Sequence, residues 1–351
     1  MQQDHIRFST HDRAGLVLLD RPRALNALSA DMAVALCRQL DLWASDSAVD
    51  HVVMAASEPR AFCAGGDVRV LHAIVAAGEY DRMTDHFQSE YRSHLAVYEF
   101  PKPIICLADG ITMGGGAGLM QCSTHIVVSD TTRFAMPETA IGLFPDAGAS
   151  VFLGRCPRPA ALCLGLTGHV IGAADCLMLG LAGAMVPSDN MPALRQALLG
   201  CDSADIGDVI ASFRADPGVP MLQIQRATID HVFDGQDLAS MRDRAGDLAR
   251  LRDDSFAASL HAALATRCPM SMQVFARLLE MGPDIADIPA ALALDFHLAI
   301  RMTRRPDFQD GVRAVLIDKT NDAVWHPSRL EEVTPSLVDG IFDTTGLPAF
   351  R

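Results

Sequence analysis

Lysine is nearly missing from this chain: Lys102 and Lys319 are all there is. Arginine carries the rest of the positive charge, a bias associated with GC-rich bacterial coding rather than with any physical demand. Acids outnumber bases to a formal net charge of -14, which argues against non-specific nucleic-acid binding. A phosphate-bearing ligand stays compatible with it, because a few local arginines suffice to hold one. The nine cysteines are scattered and contain no CxxC. Neither a zinc pattern nor a disulfide framework is expected, and a reducing compartment is. The 12 histidines form no HxxxH or HExxH, so no metal site is expected.

The opening MQQDHIRFST has neither the apolar core of an export signal nor an Arg-rich amphipathic presequence. The longest apolar stretch, 159–188, is broken by Gly165, Gly168, Gly172 and Gly180 and interrupted by His169 and Asp175. Two short core helices joined by a turn fit it better than a membrane span. The expectation is a cytoplasmic protein with no membrane and no nucleic-acid partner.

What is present is a chain of 351 residues, 50% hydrophobic and 21% charged, a globular composition long enough for one large domain with an appendage, or for two domains. Strand-like runs (GLVLLD at 15–20, HVVMA at 51–55, PIICLA at 103–108, 125–128) alternate with loops and helical stripes. Ser29 reads as a helix N-cap, followed by Met32, Leu36, Leu40 and Trp43 at helical spacing. A long helix is expected over about 81–99, with Phe87, Tyr91, Leu95 and Tyr98 on one face. Such alternation is the pattern of an α/β core with parallel strands. After about residue 190 strand signals fade and helical ones take over. We expect a catalytic core over 1–195 and a mainly helical region over 196–351 packed on it.

Two features carry chemistry. The run FAMPETAIGLFPDAG (134–148) sets Glu138 and Asp146 in an otherwise apolar segment. Carboxylates in such surroundings are seldom buried unless paired or used, so acid–base or nucleophilic work is one reading. The other is that Pro137-Glu138 and Pro145-Asp146 merely open or cap helices. The second feature is a pair of glycine loops, AFCAGGD (61–67) and ITMGGGAG (111–118). Each follows a strand and precedes a helix, where free backbone N–H groups can bind an anion. Two such loops can aim two amides at one oxygen, forming an oxyanion hole; each taken alone reads as a tight turn. Neither matches a dinucleotide fingerprint, and GK[ST] and GxSxG are absent. Cys63 reads better as a small buried thiol than as a nucleophile.

Together the series LDRPRALNAL (19–28), RAFCAGGDVRVL (60–71), GITMGGGAGLM (110–120) and FAMPETAIGLFPDAG (134–148) resembles the crotonase, or enoyl-CoA hydratase/isomerase, superfamily. Within it the chain is most similar to the 3-hydroxyisobutyryl-CoA hydrolase branch, a likeness extended by DFQDGVRAVLIDK (307–319), Trp325, Pro327 and EEVT (331–334). The resemblance implies an α/β fold, a crotonase-like core of repeated ββα units with a mainly helical C-terminal region. It implies an acyl-CoA substrate, with CoA as part of that substrate and no separate cofactor. It places the oxyanion hole at the N–H groups of Gly66 and Gly115, and the CoA along Arg23, Ala24 and Leu25. Arg60 and Arg69 fall where relatives carry basic residues near the CoA phosphates, and Glu90 matches an acid that binds the substrate hydroxyl.

Hydratases of the superfamily use two glutamates. The position of the first is Gly118 here, the second matches Glu138, and Asp146 fits the hydrolase pattern. Holding a water between two carboxylates is therefore disfavoured, whereas thioester hydrolysis needs an oxyanion hole and one activated oxygen. The expected activity is hydrolysis of a short-chain 3-hydroxyacyl-CoA, placed in valine breakdown. Glu138 acts as general base or as nucleophile through a mixed anhydride, and Asp146 positions the water or shuttles a proton. The alternatives are an enoyl-CoA hydratase or isomerase, and a non-catalytic acyl-CoA-binding protein. Homo-oligomer formation is left open.

Overall fold

Nine strands form in chain order: β1 (Ile6–His11), β2 (Ala14–Leu19), β3 (His51–Ala56), β4 (Ala61–Cys63), β5 (Ile104–Ala108), β6 (Ile111–Met113), β7 (His125–Val128), β8 (Arg133–Ala135) and β9 (Ala184–Met185). They are seen in a computed structural model that describes residues 5–282 and 285–351. One sheet has the order β1-β2-β3-β5-β7-β9 and a second, smaller one the order β4-β6-β8. The β1–β2 pair is an antiparallel hairpin; the other pairs of the large sheet are parallel. Three times the chain passes from a strand of the large sheet directly to a short strand of the small one. This is the repeat the resemblance implied.

The residue pattern by itself does not mark the short strands. Both glycine loops begin with one, β4 or β6, and three residues are too few to display an alternating pattern. The long strands behave as the apolar runs demanded. β3 and β5 are buried over almost their whole length, as parallel strands covered on both faces must be.

Two compact units are distinguished. The first comprises the chain up to Asp67, Ser89–Phe134 and Ile171–Met221. One face of its large sheet, with Val53, Ala55, Ile105, Leu107 and Val127, packs against Leu194, Leu198, Ile206 and Ile210 of the helices Met191–Leu199 and Ile206–Phe213. The helix Ala30–Ser45 starts where expected, the Ser29 hydroxyl accepting the Met32 N–H at 3.2 Å.

The second unit comprises Val68–Gln88, Ala135–Val170 and Leu222–Arg351. From residue 222 onward it is helical, as the fading of strand signals suggested. The helices Arg158–Thr167 and Pro269–Glu280 approach so closely that any side chain at Gly165 would strike the Phe275 ring. The helix Ile288–Thr303 is started by Asp287, whose carboxylate accepts the Ala290 N–H at 3.0 Å, with Pro289 in the first turn.

Candidate active site

The two glycine loops meet in the first unit. The segment RPRALNAL lies along the loop after β4: Leu28 N–H donates to Gly65 O at 2.8 Å, Asp67 N–H to Leu28 O at 3.0 Å and Ala64 N–H to Leu25 O at 3.0 Å. This ladder bonds the neighbours of Gly66 and steps over the Gly66 N–H. Gly115 is the first residue of the helix Gly115–Gln121, so its N–H has no intrahelical acceptor. The two positions adjoin: a methyl group on Gly115 would stand 3.3 Å from the Gly66 nitrogen, and one on Gly65 3.5 Å from the Gly115 nitrogen. Positive φ at Gly65 (+110°) and Gly114 (+52°) turns both loops into this arrangement.

Glu90 frames the pair. A methyl on Gly66 would lie 2.5 Å from Glu90 Oε2, and one on Gly115 would collide with Oε1. A methyl at either position would therefore have to push the Glu90 carboxylate aside. Glu90 belongs to the helix Tyr80–Tyr98, and here the expected stripe is corrected. Tyr98 is exposed, while Met83, His86, Phe87, Glu90, Tyr91, His94 and Val97 are buried. The face is rotated from the one the aromatics suggested, because Tyr98 near the helix end reaches solvent. Glu90 lies inside it.

His94, one turn beyond Glu90, is a residue the sequence reading missed. Its Nδ1 lies 2.8 Å from Glu90 O and its Nε2 2.7 Å from Gly115 O. Burial lowers its pKa, opposed by the bonds to the Gly115 and Glu90 carbonyls. A neutral ring, which burial favours, donates to one of the two carbonyls; donating to both takes the imidazolium. The signal was available: His86, Glu90 and His94 recur every fourth residue, which on a helix is a single polar line. Cys63 is buried, its thiol pushed up to about 12 chiefly by burial and further by the Glu90 charge. It is a packing residue, held under Gly116, and not a nucleophile.

Arg23 is exposed, and Ala24 and Leu25 are half-buried on the same RPRALNAL turn. That turn is fixed by Asn26, which is buried. Its Oδ1 accepts the Arg21 N–H at 2.7 Å and its Nδ2 donates to Ala61 O at 2.8 Å. Arg21 itself pairs with Asp67 at 2.7 Å. Arg60 is exposed at the start of β4. Arg69 belongs to the second unit, where its guanidinium donates to Leu316 O.

Glu138 and Asp146 lie in the second unit, each 6% exposed. Glu138 opens the 3-10 turn Glu138–Ile141 after Pro137, so the helix-opening role holds for it. The short helix that follows Asp146, Ala149–Phe152, has Gly148 at its N-cap with no side-chain cap bond. The turn after Asp146 is tight, with φ of +53° at Ala147 and +84° at Gly148. Gly148 N–H donates to Asp295 Oδ2 at 2.9 Å. The turn after Glu138 is buttressed by the DFQDGVRAVL segment. Gly142 lies on the backbone of Asp307 and Phe308, and Gly311 on that of Ile141. Asp307, fully buried, accepts from Arg305 Nε at 2.9 Å and from His326 N–H at 2.6 Å.

Among the described residues no group of three or more His, Cys, Asp or Glu is placed to hold a metal ion, and no helix is long and apolar enough to cross a membrane. The family model described as enoyl-CoA hydratase/isomerase matches residues 14–342. The mitochondrial 3-hydroxyisobutyryl-CoA hydrolase of Xenopus tropicalis is 38% identical over 339 residues, covering 95% of this chain and 87% of that one. Its Homo sapiens counterpart is 31% identical, covering 97% and 92%. The crystal structure of an enoyl-CoA hydratase from Rhodobacter sphaeroides 2.4.1 superposes with a TM-score of 0.89 at 35% identity, covering 99% of each chain. That of a carnitinyl-CoA dehydratase from Mycobacterium thermoresistibile gives 0.91 at 28%, covering 100% and 99%. With its glycine loops, its repeat of paired strands and a match over nearly its whole length, the chain belongs to the enoyl-CoA hydratase/isomerase (crotonase) family.

Proposed function

We propose that the chain hydrolyses a short-chain 3-hydroxyacyl-CoA thioester, 3-hydroxyisobutyryl-CoA foremost, to the free acid and CoA. The observation that carries this is the adjoining pair Gly66 and Gly115 with the Glu90 carboxylate beside both. Two unengaged amides at one place suit the oxyanion formed when a thioester carbonyl is attacked. A carboxylate next to them suits a hydroxyl on the acyl group. Glu138 takes the attacking role, either removing a proton from water or adding to the carbonyl to give a mixed anhydride that water opens. In both routes the C–S bond breaks, the acyl carbon gains oxygen, and the CoA thiolate leaves with the electron pair. Asp146 positions the water or passes a proton to the thiolate. Arg60 and Arg69 are the arginines we assign to the CoA phosphates, with the CoA running along Arg23, Ala24 and Leu25. Arg69 contributes with the N–H groups that Leu316 leaves over. Valine breakdown and a cytoplasmic location complete the reading. The identity to proteins named 3-hydroxyisobutyryl-CoA hydrolase extends past residue 307, which supports the hydrolase part of this reading.

A second reading, an enoyl-CoA hydratase, is favoured by the name of the Rhodobacter sphaeroides structure superposed above. Against it stands Gly118, in the interior of the helix Gly115–Gln121, where no carboxylate is available for the second half of that chemistry. The test is release of free thiol from 3-hydroxyisobutyryl-CoA with crotonyl-CoA absorbance followed in parallel. Thiol release without loss of the enoyl signal supports the hydrolase. Loss of the enoyl signal without thiol release establishes the hydratase instead. Binding of CoA with neither signal identifies a non-catalytic protein.

A further inference from the structure

Asp295 is a carboxyl group that the reading above does not use. It lies within the apolar run ALALDFHLAI of the helix Ile288–Thr303 and is 0% exposed. One oxygen, Oδ2, accepts the Gly148 N–H at 2.9 Å. The other, Oδ1, has no hydrogen-bond partner among the described residues. Among the described residues no cation pairs with it.

The charged groups on the elements around it are engaged elsewhere. On its own helix, His297 bonds Pro348 O and Arg301 bonds Asp343 O and Thr345 O. On the helix Pro306–Val312, Asp307 is held by Arg305, and Asp310 by Arg313. On Pro335–Phe342, Asp339 pairs with Arg277. The helix Ala149–Phe152 carries no charge. The side-chain charge that acts on Asp295 is that of Asp146, two residues from the Gly148 amide it holds. A buried carboxylate with one N–H donor and a like charge nearby is strongly disfavoured, and the group neutralises instead.

We propose that Asp295 is a positioning residue for thioester hydrolysis: as a neutral carboxylic acid it anchors the turn after Asp146 through the Gly148 N–H and leaves the negative charge of the two acids on Asp146. The proton resides on Oδ1, the oxygen that accepts nothing, while Oδ2 remains an acceptor. Burial, and then the Asp146 charge, raise the Asp295 pKa well above its ordinary value, against the opposing Gly148 bond. The folded protein therefore holds a proton that the unfolded chain has released. Folding stability from this group is full below the ordinary carboxylate range and declines as pH rises from there toward the raised folded-state value.

The proposal rests on the hydrolase reading, and its test separates the two. Asp295→Asn preserves the acceptor and the neutral charge; Asp295→Ala removes both the acceptor and volume. Asp295→Asn is expected to keep kcat, KM and the pH profile of thiol release close to wild type. Asp295→Ala is expected to lower kcat about 10- to 100-fold, as a misplaced Asp146 should, with little change in KM. Infrared difference spectra of wild type against Asp295→Asn at neutral pH should show a protonated-carboxyl stretch in the wild type. Its urea stability should fall with rising pH more steeply than that of the Asn variant. A wild type without that band, an Asn variant as impaired as the Ala variant, or a folded Ala variant with unchanged kcat would each overturn the proposal. A wild type that shows the band but releases no thiol defeats the hydrolase reading and with it the positioning role, while the proton on Asp295 stands.

Discussion

Gly142 rests on the backbone of Asp307: a methyl group there would collide with the Asp307 carbonyl and stand 2.7 Å from the Phe308 nitrogen. Its φ is +72°, so alanine would be both crowded and strained. Gly142→Ala should cost about 1–3 kcal/mol of stability and lower turnover by moving the Glu138 turn. Urea unfolding monitored by tryptophan fluorescence, with thiol release on the folded fraction, checks both.

Asp307 is buried and holds Arg305 and the His326 N–H. Asp307→Asn leaves Arg305 without its counter-charge, and a loss of about 3 kcal/mol is expected. The segment after residue 319 should then become open to protease before the rest of the chain. Equal protease resistance in variant and wild type would refute this.

At the amide pair, Gly66→Ala and Gly115→Ala drive a methyl into the Glu90 carboxylate. Turnover should drop about 100-fold or more, as when an oxyanion donor is lost. Circular dichroism should show the fold retained. Activity near wild type in either variant would remove the pair from the reaction.

For Glu138→Gln, thiol release should fall by about 100-fold or more, while calorimetric titration with a non-hydrolysable acyl-CoA analogue shows affinity little changed. Unchanged turnover would take Glu138 out of the mechanism.

His94 supplies a pH prediction. Burial lowers its folded-state pKa below the ordinary 6.5. As pH falls through the ordinary imidazole range, the unfolded chain takes up a proton that the folded protein refuses. Stability from this group is thus present above that range and lost toward acid. His94→Gln should flatten the acid side of the stability profile between about pH 7 and 5. Parallel profiles for the two proteins would count against a neutral buried ring.

Much of the site was legible in the sequence because each element announces itself locally. The glycine loops lie where their sequence put them, and the acids at 138 and 146 are buried in the apolar run that flagged them. Asp295 carries the same signal, a lone acid in ALALDFHLAI, yet it reads as one polar residue on a helix until burial is known. The stripe Phe87, Tyr91, Leu95 and Tyr98 does not mark Glu90 as buried. Tyr98 is exposed, and the face turns toward Glu90 and His94 instead. Asn26, in the quoted LDRPRALNAL, gives no hint of fixing the turn at Ala24 and Leu25, since its partners are at Ala61 and Arg21.

Composition, motif order and periodicity thus determined the family, the strand–helix alternation and the candidate acids, because these follow from local pattern. Tertiary structure decided which backbone amides escape the ladder at Gly66 and the helix at Gly115. It decided that the Glu90 carboxylate stands beside both, and that Asp295 meets the turn after Asp146. Those outcomes depend on residues far apart in the chain being packed against one another, where burial and like charge set protonation, and no single segment contains that information.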